Sequence, residues 1–197
     1  EQMHAHQVPQ WYIDSLAKIG YLFPKAHAVA YVTMAFRIAW FKVHRPLAFY
    51  AVYFSIRAKA FDAEYCCAGI DAVKKKIREI ENNKDATNVE QDLLTTLEVC
   101  YEFYLRGFHF DTIDIYESDA TMFKIKGDDT LLPPFITVRG LGETAALDTV
   151  EKRKGKTFIS VEEFSECCSK LSKTHIEQLK ALGAFAGMAD TSQVSFF

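Results

Sequence analysis

The sequence predicts a mainly α protein with a small antiparallel β-sheet, an α+β chain in which helices surround one short run of strands. Three observations carry that reading. Apolar residues recur at spacings of three and four in much of the chain, as in Val73, Ile77 and Ile80, which marks helices with one buried face. Strand-like sequence is confined to residues 108–132 and is closed by Pro133-Pro134. The 197 residues are 49% apolar and 14% aromatic, with 16 Phe, enough to bury one large core of rings or two smaller ones.

The elements follow in order. Val8-Pro9 opens a helix carrying Trp11, Leu16 and Ile19, ending near Gly20 where glycine accepts a left-handed turn. Pro24 suits the first turn of a second helix reaching about His44. It is apolar on nearly every side, as a helix buried in a larger body is. Arg45-Pro46 breaks it, and a third helix runs over residues 46–60. The fourth carries the Val73 stripe, with Lys74, Lys75 and Lys76 on a solvated face. After a loop at residues 82–86, Asn88 and Gln91 form a capping-box start. Val89, Leu93, Leu97, Cys100 and Tyr104 then share one stripe up to Gly107. Residues 108–116 and 122–126 read as strands, and Gly127-Asp128-Asp129 turns the second into Thr130-Leu131-Leu132. Three helices close the chain: residues 143–154, 161–168 behind Ser160 and Glu163, and 173–182 behind Ser172.

The net charge of −3 hides a polarised distribution. Between Ser15 and Phe61 there is no acid but seven cations: Lys18, Lys25, Arg37, Lys42, Arg45, Arg57 and Lys59. Residues 62–130 hold 16 acids against 8 bases, residues 131–197 are balanced at 8 of each, and Glu1 and Asp14 add two acids at the start. A long cationic run is the footprint of phosphate binding; the alternative is a helix pair whose cations only reach solvent. The five Cys have no C-x-x-C spacing, so neither a zinc knuckle nor a secreted disulfide framework is indicated, and a reducing cytoplasm is expected. The most hydrophobic stretches, residues 28–41 and 47–56, fall short of the roughly 20 residues a bilayer requires. The opening Glu1-Gln2-Met3 reads as the start of a cut piece.

Several groups of residues carry chemical content. Arg139-Gly140-Leu141-Gly142-Glu143-Thr144 has the form of a helix-hairpin-helix turn, in which Gly-apolar-Gly aims free N–H groups outward at the start of a helix, a setting that suits a phosphate. Lys152, Arg153, Lys154 and Lys156 lie one or two turns further on. Around Lys170, Ser172 and Lys173 the same plan recurs without the glycines; an ordinary helical hairpin is the alternative there. Lys25 and His27 stand in the first turn of a helix, placed for a triphosphate, against the plainer reading of a half-buried His held by backbone. The acids Asp111, Asp114, Glu117 and Asp119 raise a two-metal site, but acids dense around turns are ordinarily solvated. His4 and His6 are assigned no metal. No phosphate-loop, serine-hydrolase or zinc-protease motif is present. The chain closes on Gln193, Val194, Ser195, Phe196 and Phe197 behind a polar linker at residues 187–192. Two bare rings there either pack back or anchor in a partner's pocket, where their burial supplies roughly 3 to 6 kcal/mol before ordering costs.

Together, the Phe23-Pro24-Lys25-Ala26-His27 start, the His44-Arg45-Pro46 break, the Pro133-Pro134 to Gly142 segment and the Gln193 to Phe197 tail resemble the C-terminal end of the PolC-type DNA polymerase III α chain, the replicative polymerase of low-GC Gram-positive bacteria. The resemblance implies three parts. Residues 1–61 would end the fingers domain, with Lys25, His27 and Arg37 touching the incoming dNTP. Residues 62–186 would bind primer-template duplex DNA, with helix-hairpin-helix elements at about 135–183 and contacts from Arg139, Gly140, Leu141, Gly142, Glu143, Thr144, Lys170, Ser172 and Lys173. Residues 187–197 would form a flexible tail whose Gln193, Val194, Ser195, Phe196 and Phe197 bind the β sliding clamp. Val194 and Phe196 stand where such clamp peptides have Leu. The resemblance further implies Mg²⁺ held by palm-domain aspartates that this piece lacks, so no catalytic residue is assigned and the piece alone is expected to be inactive. It also implies a cytoplasmic, nucleoid-associated protein with no membrane contact. The competing readings are a non-enzymatic helix-hairpin-helix module of repair or recombination, and a helical protein-interaction domain without DNA affinity. Lys25 separates the first two, since only a polymerase needs it for nucleotide affinity.

Overall fold

The computed structural model describes residues 2–19 and 25–191. The chain divides into two compact units, Glu1–Val43 and His44–Phe197. Among the described residues, no helix is long and apolar enough to cross a membrane.

The first unit is helical: α1 (Gln2–Ala5), α2 (Gln10–Ala17) and α3 (Lys25–His44, whose last residue falls in the second unit). Pro9, with φ −56° and ψ 138°, is the N-cap of α2. The sequence predicts a buried α3, yet none of its residues is buried within this chain, and Phe36 is 75% exposed. A unit of this length is too short to wrap a 20-residue helix that is apolar on every side.

The second unit begins with α4 (Pro46–Ile56), a 3₁₀ turn (Ala58–Ala60), α5 (Ala63–Cys66), α6 (Ile70–Glu81) and α7 (Asn88–Leu105). The charge boundary near residue 61 falls inside this unit, because α4 packs by its rings. Tyr50 and Phe54 are fully buried. The Tyr50 hydroxyl donates to Glu102 Oε1 at 2.7 Å, joining α4 to α7. Burial and the Glu102 carboxylate push this phenol up to about 12. Sequence periodicity passes over α5, a single turn capped by Asp62, whose Oδ1 accepts from Glu64 N–H at 3.0 Å. Lys74 and Lys75 face solvent as expected. Lys76 instead lies over the Tyr65 ring, 4.6 Å from its centroid, and pairs with Glu79 at 2.8 Å. The capping box of α7 sits one residue earlier than Asn88 and Gln91: Thr87 Oγ1 accepts from Glu90 N–H, and Glu90 Oε2 accepts from Thr87 N–H.

The sheet contains β1 (His109–Phe110), β2 (Lys124–Lys126) and β3 (Thr130–Leu132), in the order β1-β3-β2. It is mixed: β2 pairs antiparallel with β3 as expected, whereas β1 runs parallel to β3. The strand expected over residues 108–116 stops after two residues because its acids capture local backbone. Asp111 Oδ1 accepts from Thr112 N–H at 2.8 Å, and Asp114 Oδ1 accepts from Tyr116 and Glu117 N–H at 2.7 Å each, turning the chain where alternation alone would extend it. Phe110 joins Phe54, Phe61, Phe103 and Phe123 in one ring cluster, with Phe103 and Phe110 centroids 4.5 Å apart.

A second 3₁₀ turn (Phe135–Thr137) leads to α8 (Glu143–Lys152), α9 (Val161–Cys167) and α10 (Lys173–Ala181). Their buried faces, including Leu141, Ala146, Phe164, Leu171, Ile176 and Leu179, continue the same core. The start of the polar linker is held: Ala189 and Asp190 carbonyls accept from Val161 and Glu162 N–H at 2.9 and 3.1 Å, and Asp190 pairs with Lys180.

Candidate nucleic-acid interface

Two turns with one burial pattern lie thirty residues apart. In the first, Val138 is buried, Arg139 and Gly140 are exposed, and Leu141 turns inward while its N–H donates to Val138 O at 3.0 Å. In the second, Cys168, Ser169, Lys170 and Leu171 repeat this burial pattern, with Leu171 N–H donating to Cys168 O at 2.9 Å. Gly142 and Ser172 then occupy matching N-cap positions, with φ/ψ of −76°/153° and −72°/162°. Gly140 has φ +78°, a left-handed conformation that favours glycine. The second copy shares this burial pattern and N-cap placement, but Lys170 does not take the left-handed conformation of Gly140, so the two turns differ in backbone.

The caps differ, and the difference matters for anions. Ser172 Oγ accepts from His175 N–H, while His175 Nδ1 accepts from Ser172 N–H, so the start of α10 is closed by its own side chains. Gly142 has no side chain, and α8 has no side-chain cap. The N–H groups of Arg139, Gly140, Gly142, Glu143 and Thr144 take no partner among the described residues. This bare helix start and the turn before it offer several donors and a partial positive charge to one anion. They form one wall of a groove of about 520 Å³ whose other walls carry Lys59, Tyr65 and Lys76 together with the acids Asp62 and Glu90. Glu143 Oε2 stands 3.2 Å from Lys59 Nζ, so its charge is matched.

The structure sorts the cations that the sequence groups together. Arg153 is buried; its guanidinium donates to Ile115 O at 2.7 Å and to Ser118 O, and lies over the Phe135 ring. It clamps the 114–118 loop and does not face solvent. Lys154 pairs with Glu151, and Lys156 Nζ sits 3.1 Å from Cys167 Sγ. Lys170 Nζ lies 2.9 Å from Asp148 Oδ1, and Lys152 Nζ lies 3.5 Å from Asp148 Oδ2. Lys170 holds the Asp148 carboxyl below the usual carboxylate range. Arg139 and Lys173, one beside each turn, have neither an ion pair nor a side-chain hydrogen bond among the described residues. Leu141 is 5% exposed and serves the core, whereas Thr144 and Ser172 are exposed beside the turns.

Lys25, His27 and Arg37 all lie on α3 of the first unit. His27 packs edge-on against Tyr31, with centroids 4.3 Å apart. Arg37 stands twelve residues beyond Lys25, about 18 Å along the helix, so this helix does not bring it to the same phosphate. Residues 192–197, and with them Gln193, Val194, Ser195, Phe196 and Phe197, lie outside the described residues.

The acids of the strand region do not fit a pair of Mg²⁺ ions. Asp111 also pairs with Lys126 at 2.8 Å, and Asp119 Oδ1 accepts from Thr121 and Met122 N–H. With Asp114 holding its own turn, these carboxylates are engaged with the protein. Among the described residues, no cluster of three or more His, Cys, Asp or Glu side chains is placed to hold a metal. The Cys100 thiol is fully buried and pushed well above its usual range by that burial, which suits packing and not nucleophilic chemistry. The sequence reading passed over Asp148. Its one signal in the sequence is its place in the repeat, seven residues after Leu141, as Gln178 follows Leu171.

The first turn and the start of α8 have the form of a helix-hairpin-helix motif, and the second turn repeats its burial pattern before α10. Residues 107–194 match the family described as helix-hairpin-helix motif. Along its whole length the chain is similar to part of the PolC-type DNA polymerase III: it is 50% identical to that of Lactococcus lactis subsp. lactis over 198 residues, and 48% identical to those of Streptococcus pneumoniae serotype 2 and Streptococcus pyogenes over 200. The match covers 100% of this chain in each case, and the chain spans 12% of the first relative and 14% of the other two. The resemblance to the PolC-type polymerases read from four motifs thus extends over every part of the sequence.

Proposed function

We propose that this chain is the C-terminal part of a PolC-type replicative DNA polymerase and that its second unit grips the duplex that the polymerase extends. The observation that carries the reading is the set of unpartnered amides of Arg139, Gly140, Gly142, Glu143 and Thr144 at an exposed turn, in a chain similar throughout to such polymerases. Backbone amides read a phosphate and not a base, so the grip is independent of sequence and lets the duplex slide. Arg139 and Lys173 add charge at the two turns. The open cap of α8 makes the first turn the stronger phosphate site, and the self-capped second turn contributes chiefly through Lys173.

The same reading gives the first unit to the fingers, with Lys25 and His27 at the triphosphate of the incoming dNTP and Arg37 apart from them. Phosphoryl transfer from dNTP to the primer 3′-hydroxyl takes place on parts of the polymerase beyond this chain. The Mg²⁺ ions of that reaction neutralise charge on the reacting phosphates, and the carboxylates of this chain do not supply their ligands. This chain by itself incorporates no dNTP in primer extension.

Arg139→Ala with Lys173→Ala is expected to flatten the salt dependence of duplex binding. Each phosphate contact contributes about 0.9 to the slope of log K against log salt, so the pair together is worth about 1.8. A slope unchanged by the double substitution contradicts the reading, as does a preference for particular base pairs. Gln193, Val194, Ser195, Phe196 and Phe197 complete it as a peptide for the sliding clamp. Loss of these five residues is expected to weaken clamp binding at least about tenfold, since two buried Phe side chains outweigh the 1.4 kcal/mol that tenfold represents. Calorimetry against purified clamp checks this, and equal affinity with and without the tail refutes it.

A further inference from the structure

We propose that Asp148 is a positioning residue that latches the second hairpin turn onto α8 by holding Lys170, so that Lys170 sets the spacing of the two duplex-contacting turns and does not itself touch a phosphate. The proposal rests on the duplex-binding reading. Its basis is a reciprocal arrangement between the two copies of the hairpin. Gly140 of the first turn approaches α10 of the second copy: a Cβ placed on it would stand 3.9 Å from His175 Nε2. Lys170, at the matching place in the second turn, reaches back to α8 of the first copy through Asp148. The second turn is thus braced on α8 of the first copy, and the first turn lies close to α10 of the second.

The brace on α8 has several strands. The Asp148 side chain is only 16% exposed, with Oδ1 at 2.9 Å from Lys170 Nζ. Its Oδ2 is buried without a hydrogen bond, and Lys152 Nζ lies 3.5 Å away. Lys152 Nζ in turn donates to Ser169 Oγ at 3.4 Å, and Cys167 Sγ donates to Lys152 O at 3.5 Å. The contacts of Lys170, Ser169 and Cys167 tie residues 167–170 to α8, and the Lys152–Asp148 pair within α8 joins them into one network. Gln178 holds the matching position in the second copy and likewise buries an oxygen, Oε1, without a hydrogen bond. Being neutral, it does not bind a cation in the same way. If Lys170 turned to a phosphate, a largely buried carboxylate would lose its nearest cation, and an underpaired buried charge is costly. Lys170 therefore stays with Asp148 while Arg139, Lys173 and the open amides meet the duplex.

The test is duplex affinity of the 197-residue chain across a salt series for the unsubstituted protein, Lys170→Met, Asp148→Asn and the double variant. Lys170→Met is expected to weaken binding about threefold to tenfold by loosening the turn, with the salt slope unchanged. Asp148→Asn is expected to steepen the slope by about 0.9, because the released Lys170 gains a phosphate, and the double variant to return it to the starting value. Lys170→Arg, which keeps the ion pair, restores the affinity. Lys170→Gln takes the place of the Met variant if circular dichroism shows that one unfolded. A slope lowered by about 0.9 in Lys170→Met, or unchanged in Asp148→Asn, overturns the proposal. Absence of duplex binding by the unsubstituted chain at low salt fails the duplex reading itself. Failure of the latch alone leaves the Arg139 and Lys173 effects in place.

Discussion

Arg153→Met is expected to destabilise the His44–Phe197 unit by about 2 to 6 kcal/mol, the sum of two buried carbonyls left without donors at about 1 to 3 each. Arg153 is 7% exposed and donates to Ile115 O and Ser118 O, the two ends of the loop that turns on Asp114. Met keeps most of the volume over the Phe135 ring, so packing changes little and the loss reports the hydrogen bonds. Burial lowers the guanidinium from its usual range while Asp114 and Asp119 oppose that shift. The group remains charged at every accessible pH. Removing it also leaves those two carboxylates without their nearest buried cation. Urea unfolding checks the outcome: the midpoint should fall with the slope unchanged. A loss below about 1 kcal/mol, the range of surface substitutions, would show that the loop holds itself. Duplex binding by the folded fraction should survive, because Arg153 belongs to the scaffold and not to the phosphate surface.

Phe54→Ala is expected to cost about 3 to 5 kcal/mol, the range for emptying a fully buried ring site. Phe54 is 0% exposed, and its ring lies 5.2 to 6.0 Å by centroid from Tyr50, Phe61, Phe103, Phe110 and Phe123. It is the residue through which α4 enters the second unit. The cavity would open among α4, α7 and the sheet, where neighbouring rings are too rigid to collapse fully. Phe54→Leu should recover most of the loss, since hydrophobic substitutions of similar volume cost less than about 1.5 kcal/mol. Thermal and urea unfolding of both variants separate the cavity from the loss of aromatic contact. If Phe54→Ala and Phe54→Leu were equal, ring contact and not volume would hold the cluster.

Much of the candidate site was legible because its signals are local. Gly-apolar-Gly at residues 140–142 requires a turn with one left-handed residue, and Gly140 takes it. Ser172 three residues before a side chain able to reach back, and Ser160 before Glu163, mark helix starts wherever they occur. The resemblance drawn from four short motifs proved to extend along the full chain. Where the sequence reading fell short, the deciding partner lay far away in the chain. The run of lysines and Arg153 after α8 looked like one phosphate-facing patch, yet Arg153 finds its acceptors 35 and 38 residues upstream. The first strand looked eight or nine residues long until the turns built by Asp111 and Asp114 cut it to two. The charge boundary near residue 61 reflected composition, while the packing boundary at Val43 reflects where rings find other rings.

By itself the sequence determined where most of the helices lie, that Gly140 to Gly142 forms a glycine turn before a helix, and that Ser160 and Ser172 open the two helices that follow. Those features depend on backbone freedom and side chains within four residues, which the order of residues specifies directly. Only the tertiary structure decided which cations face outward, that β1 runs parallel to β3, and that Lys170 of the second turn reaches Asp148 of α8. Charges and strands take their final roles from whichever partner folding brings within hydrogen-bond reach, and linear distance does not encode that choice.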